Sequence, residues 1–191
     1  VEKRLGKYGD NLPVIKNMKT DLQHYLDYFT GINEEHLSVH HVLRKVNNLK
    51  EEIDETIYPS EKMVFQQEIM NLLEDNFNKY PTIDRLKFEL ALAHVNMSWL
   101  QLRLEEFGDA EETILKAPIL ESPLLSLSCN LAHSYLLRDD MDKAMALYAE
   151  LSEKVNNLNE SYMEIILKDF ETLRRDGIDH AGFKIVAERF K

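Results

Sequence analysis

Residues 96–117 read NMSWLQLRLEEFGDAEETILKA and residues 130–151 read NLAHSYLLRDDMDKAMALYAEL. Laid over one another at a step of 34 residues, Met97 meets Leu131, Ser98 meets Ala132, Phe107 meets Met141, Ala110 meets Ala144, Ile114 meets Tyr148 and Ala117 meets Leu151. Small side chains at Ser98, Ala132, Ala110 and Ala144 suit places where two helices cross closely, and the large ones beside them can then interdigitate. A helical hairpin of this length cannot bury its apolar face alone. Successive copies must stack, which predicts a solenoid-like arrangement.

The pattern of small and large positions resembles a tetratricopeptide repeat, over about 60 residues from Ala91 to Leu151. The second copy carries the likeness best, in Asn130-Leu131-Ala132-His133-Ser134-Tyr135, Asp142-Lys143-Ala144 and Tyr148. In the first copy Gln101 stands where the family has an aromatic, the closing proline comes one residue late as Pro123, and neither copy has the usual glycine of the first helix. The resemblance implies an all-α, right-handed superhelix of helical hairpins, with extra N-terminal helices and a C-terminal capping helix. It implies no catalysis and no cofactor, but a protein or peptide ligand held on the concave face that first helices line. The matching partner-binding positions are Val95, Asn96, Trp99 and Arg103 in the first unit and Cys129, Asn130, His133 and Leu136 in the second, with Leu92, Leu102, Ser126 and Leu137 beside them. The family's carboxylate-gripping variant needs several groove cations. Only Arg103 is available here, which argues against recognition of an acidic C-terminal tail.

Composition agrees with a helical protein. The chain has 191 residues, 44% of them hydrophobic, with six glycines and five prolines to interrupt helices. A formal net charge of −11 repels phosphate, so nucleic acid and anionic membranes are poor partners. No apolar run is long enough to span a bilayer, and Val1-Glu2-Lys3-Arg4 does not open a signal peptide. Beginning on Val1, the sequence reads as a piece of a larger, bacterial-type multidomain chain. A lone cysteine, Cys129, fits a reducing compartment, and a cytoplasmic location is expected.

In chain order, a polar lead-in with Gly6 and Gly9 gives way at Pro13 to a helix with an apolar stripe at Val14, Ile15, Met18, Leu22, Tyr25, Leu26 and Phe29. Thr30-Gly31 reads as its stop. A second helix is expected over about 33–57, with Val39, Val42, Val46, Leu49 and Ile53 stepping by three and four, and the two should form an antiparallel hairpin. Tyr58-Pro59-Ser60 breaks the chain with Ser60 as candidate cap, and Tyr80-Pro81-Thr82 breaks it again before a long helix from Ile83 to Leu104. After the repeats, Asn156-Asn157-Leu158-Asn159 is a turn. A helix from Glu160 to Arg175 then stops at Asp176-Gly177, and Asp179 is the candidate cap of a short last helix. The predicted organisation is 1–81 as N-terminal helices packed on the repeats, 82–155 as two repeat units and 156–191 as the cap, forming one compact domain. Two repeats are fewer than the three needed for independent stability, so the front helices must replace a third and can also fill the groove.

Catalytic signals are weak. His36 and His40, four apart, can share a helix face near Glu34 and Glu35, but they lack the acid spacing of a zinc-protease helix or a di-iron bundle, and an exposed polar face is the plainer reading. Cys129 and His133 are likewise four apart. Nothing in the sequence supplies an orienting third group or an oxyanion hole. Glu51-Glu52, Glu105-Glu106 and Glu111-Glu112 read as solvated helix surface. No nucleophile elbow, phosphate loop or dinucleotide fingerprint is present. Besides a scaffold, a peptide-sensing domain that controls an attached effector and a metal-dependent enzyme using the histidines remain as alternatives. If Asn130 and His133 line an open groove, alanine at either should leave folding nearly intact.

Overall fold

Pro13 begins a helix, α1 (Pro13–Glu55), that continues for 43 residues straight through Thr30-Gly31. The expected antiparallel hairpin over 13–57 is corrected to this single helix. Glycine inside a helix costs only about 1 kcal/mol against alanine, and it ends a helix only when the following residues take over the terminal hydrogen bonds. Here no proline follows, and the polar residues after Gly31 are compatible with helix. The chain stops instead ahead of Pro59, where the Thr56 hydroxyl donates to the Glu52 carbonyl at 2.8 Å and helps satisfy the end of α1.

The computed structural model describes residues 13–122, 124–156 and 159–190, and within them the side chains outside 13–21, 24 and 27–34. The polar lead-in, Pro123, the Asn157-Leu158 half of the predicted turn and the side chains of His24 and Glu34 lie outside the described residues. Seven more helices follow: α2 (Pro59–Lys79), α3 (Asp84–Arg103), α4 (Phe107–Leu115), α5 (Leu125–Leu137), α6 (Met141–Ser152), α7 (Tyr162–Arg175) and α8 (Ala181–Arg189). Among the described residues there is no strand; one isolated bridge joins Val155 to Ser161. The protein is all-α. No helix of the described residues is long and apolar enough to cross a membrane.

The chain forms two compact units, Val1–Arg44 and Lys45–Lys191. The first, Val1–Arg44, contains the N-terminal part of α1. There Leu22, Tyr25 and Leu37 are exposed, while Val39 and Val42 are buried.

The second unit, Lys45–Lys191, is a run of neighbours in which α2 packs on α3, α3 on α4, α4 on α5 and α5 on α6. Helix α3 also touches α5 directly, and both α7 and α8 lie on α6. The end of α1 is tied to this run through Lys50, which reaches the buried Glu89 of α3 at 2.9 Å, and through Lys45, 2.8 Å from Glu68 of α2. Arg85 pairs with the same Glu89 at 2.5 Å, so the buried carboxylate meets two cations.

The 34-residue step reappears in the backbone. At the end of α3 the Glu105 amide donates to the Leu102 carbonyl and the Glu106 amide to the Gln101 carbonyl, with Glu105 at φ 63°. At the end of α5 the Asp139 amide donates to Leu136 and the Asp140 amide to Tyr135, with Asp139 at φ 62°. These are two copies of the Schellman cap, each with an acidic residue in the left-handed position where glycine is commoner. Each following helix starts alike, with Ala110 donating to the Glu106 carbonyl and Ala144 to that of Asp140. Ala110, Ala132, Ala144 and Ser98 are all fully buried, as close helix crossings require.

Several boundaries differ in detail from the sequence expectations. Helix α2 opens on Pro59 with Tyr58 as N-cap rather than Ser60, because proline already suits the first helical position. The last helix is capped by His180, whose Nδ1 accepts from the Gly182 amide at 3.1 Å, rather than by Asp179. Asp176-Gly177 does end α7, with Gly177 at φ 95° and Ile178 folding back to the Leu173 carbonyl. Gly182 permits the approach of α8 to α5, since a Cβ there would stand 2.5 Å from Leu136 Cδ1.

Candidate functional site

Helix α3 carries Val95, Asn96, Trp99 and Arg103 along the side that the sequence assigned to a groove, and two open clefts meet there. One, of about 450 Å³, is lined by Lys50, Ile53 and Asp54 from α1, Lys62 and Gln66 from α2, and Asn96, Trp99, Leu100 and Arg103 from α3. The other, of about 190 Å³, lies among Val95, Asn96 and Trp99 of α3, Ser126, Cys129 and Asn130 of α5, and Tyr162, Ile165 and Asp169 of α7. Asn96 and Trp99 belong to both clefts and form the ridge between them. The front helices therefore border this surface without filling it.

Residues related by the 34-residue step have different surroundings. Asn130 is buried and donates from Nδ2 to the Val95 carbonyl at 2.9 Å and to Ser98 Oγ at 2.8 Å, which clamps α5 to α3. Asn96, its counterpart 34 residues earlier, is exposed, and its side chain makes no hydrogen bond among the described residues. Trp99 is half-buried, whereas His133 at the matching position is 0% exposed.

What covers His133 is α7. Its Nδ1 lies 2.7 Å from Tyr148 Oη and its Nε2 lies 3.2 Å from Asp169 Oδ2, with Phe170 against the ring at 5.4 Å between centroids. Leu136 is also 0% exposed, and Cys129 and Asn130 are nearly so. The expectation that Asn130, His133 and Leu136 offer themselves on an open surface is corrected, so the open-groove condition under which alanine at Asn130 or His133 leaves folding intact is not met. These side chains are engaged in packing, and α7 supplies Asp169 and Phe170 against His133. Arg103 is also committed: it makes a two-point ion pair with Asp176, at 2.6 Å and 3.1 Å, with both side chains only about a fifth exposed. The sequence analysis missed this pairing, which joins residues 73 apart. It also missed Lys62, a half-buried cation of the larger cleft with no ion pair among the described residues.

The chemistry of the buried groups is quiet. Burial pushes the Cys129 thiol up to about 12, with the Asp169 charge adding to the shift, so it stays protonated and unreactive at neutral pH. Burial also raises the Tyr148 hydroxyl well above its ordinary value. His133 is already bonded on both ring nitrogens and does not activate Cys129. His36 and His40 are exposed, and no group of three or more His, Cys, Asp or Glu among the described residues is arranged to hold a metal ion. His94 is buried on the far side of α3, and its Nδ1 donates to the Thr113 carbonyl at 2.7 Å.

No protein-family profile, curated protein or solved structure matches this chain.

Proposed function

We propose that this chain is a non-catalytic, tetratricopeptide-like module that binds an extended protein segment across the Asn96–Trp99 ridge of α3. The reading is supported by the two hairpins related by a 34-residue step, down to their Schellman turns, and by the order in which neighbouring helices touch. The observation that carries it is the contrast between Asn96 and Asn130. The same residue at the same repeat position uses its amide to hold α5 in one copy and leaves it open between two clefts in the other. A side-chain amide offers a donor and an acceptor to a peptide backbone, and Trp99 beside it offers a rigid aromatic face. Lys62 adds a positive charge at the edge of the larger cleft. The helical groove is thereby displaced toward the front of the repeats, since α7 occupies its rear.

Trp99 is the only tryptophan in the chain, so its emission reports on this surface alone. Captured partners from a lysate of the source cells should shift that emission when added to the purified protein. Asn96→Ala combined with Trp99→Phe should lose capture while melting like the wild type. A partner retained equally by this double variant refutes binding on the ridge.

A further inference from the structure

We infer that the smaller cleft, among α3, α5 and α7, is a subsite for one basic side chain, a lysine or arginine of the segment bound along the ridge; this rests on the ridge reading above. Its walls bring together what a cation needs: the Asp169 carboxylate, the aromatic rings of Trp99 and Tyr162, and the Asn96 amide. At about 190 Å³ the space is smaller than a small-molecule site, which ordinarily takes roughly 300–1,000 Å³, and it suits a single long side chain.

Asp169 is the determining group. Its side chain is only 25% exposed, so folding has removed most of its water. Among the described residues no lysine or arginine pairs with it. Its partner is His133, whose Nε2 donates to Oδ2, while the Tyr148 hydroxyl donates to Nδ1. That arrangement satisfies all three groups with a neutral ring, so the carboxylate keeps its negative charge, and Oδ1 has no hydrogen bond among the described residues. The charge acts on its surroundings: besides burial, it helps to raise both the Cys129 thiol and the Tyr148 hydroxyl. A cation in the cleft would replace the lost water and neutralise that charge. The other side of the ridge has the opposite character. There Lys50, Lys62 and Arg103 stand against one carboxylate, Asp54, so a basic side chain is directed toward α7 and not toward α2.

The net charge of −11 draws basic peptides to the whole surface, so the test must separate the cleft from that background. Short blocked alanine peptides with one central arginine, lysine, glutamine or glutamate are titrated into the whole 191-residue protein at low salt, with Trp99 emission as the readout. One contact of this kind is weak, so the titrations run to about 10 mM. The two basic peptides should shift the emission saturably, and the glutamine and glutamate peptides should bind about ten-fold more weakly or worse. Asp169→Asn keeps an acceptor for His133 and should lose about ten-fold in affinity for the basic peptides. Glu171→Gln removes the same charge from an exposed position of α7 and should change nothing. If Asp169→Asn melts lower, the peptide series still reads the charge preference on the unaltered protein. No saturable shift with either basic peptide, equal affinity for the glutamine peptide, or a folded Asp169→Asn that binds as Glu171→Gln does overturns the inference. The ridge is judged apart from it: a captured partner lost by Asn96→Ala with Trp99→Phe but kept by Asp169→Asn leaves the ridge standing and removes the basic subsite.

Discussion

Replacing Asn130 by alanine and, separately, Asn96 by alanine makes the same chemical change at the same repeat position, yet the outcomes should be opposite. Asn130 is 4% exposed and donates two hydrogen bonds, to Val95 O and Ser98 Oγ. Each such bond contributes about 1 kcal/mol net, and truncating a buried side chain leaves a small void as well, so the loss should be about 2–3 kcal/mol. The Val95 carbonyl keeps the Ser98 hydroxyl as a donor at 2.9 Å, which holds the cost below that of an orphaned buried acceptor. For a domain of this size each kcal/mol moves the melting temperature by about 2–4 °C, giving a fall of about 4–12 °C. Asn96→Ala removes no bond within the chain and places a better helix former on an exposed helix position, so its melting temperature should stay level or rise slightly. Thermal melts by circular dichroism, checked by urea midpoints at constant slope, read both. Equal melting of the two variants would refute the claim that one asparagine clamps α5 to α3 while the other is free.

Two further outcomes follow from the core. Ala110→Arg and Ala144→Arg should each cost more than about 3 kcal/mol and leave the second unit loosened, since neither fully buried site can take a long charged side chain; unchanged melting would remove the close helix crossings from the account. His94 has its imidazole held below its ordinary value by burial, with the Thr113 hydrogen bond opposing. Because the folded state disfavours the charged ring, stability should fall as pH drops below the unfolded value of 6.5, and His94→Gln should flatten the part of the urea-midpoint slope between pH 7 and pH 5.5 that His94 causes.

The fold was legible where local pattern and packing agree. The 34-residue step survives in the sequence because Ser98, Ala110, Ala132 and Ala144 sit at crossings that tolerate nothing larger, and Asp176-Gly177 was readable because a left-handed cap favours glycine. The uninterrupted α1 was not legible. A single glycine is an ambiguous stop, since it costs a helix little when nothing behind it takes over the terminal hydrogen bonds. At the candidate site the repeat pattern singled out Asn96 and Trp99, which line both clefts. The commitment of Arg103 to Asp176 and of His133 to Asp169 was not, since these pairs are 73 and 36 residues apart and depend on where α7 and its end come to lie.

Position within the 34-residue step and surroundings are thus separable in this chain. Trp99 and His133 lie 34 residues apart at matching places in their hairpins, and what leaves one half-buried beside a cleft and makes the other a buried bridge is the neighbour each receives. The end of α1 and α2 stand off from Trp99 and leave a cleft, whereas α7 closes on His133 and satisfies both ring nitrogens. The covering helix also explains the choice of side chain. Tryptophan at position 133 would overfill the space between Tyr148 and Phe170 and lose both hydrogen bonds, while histidine at position 99 would have no Tyr148 or Asp169 to meet. Divergence between the two copies therefore follows the asymmetry of their neighbours.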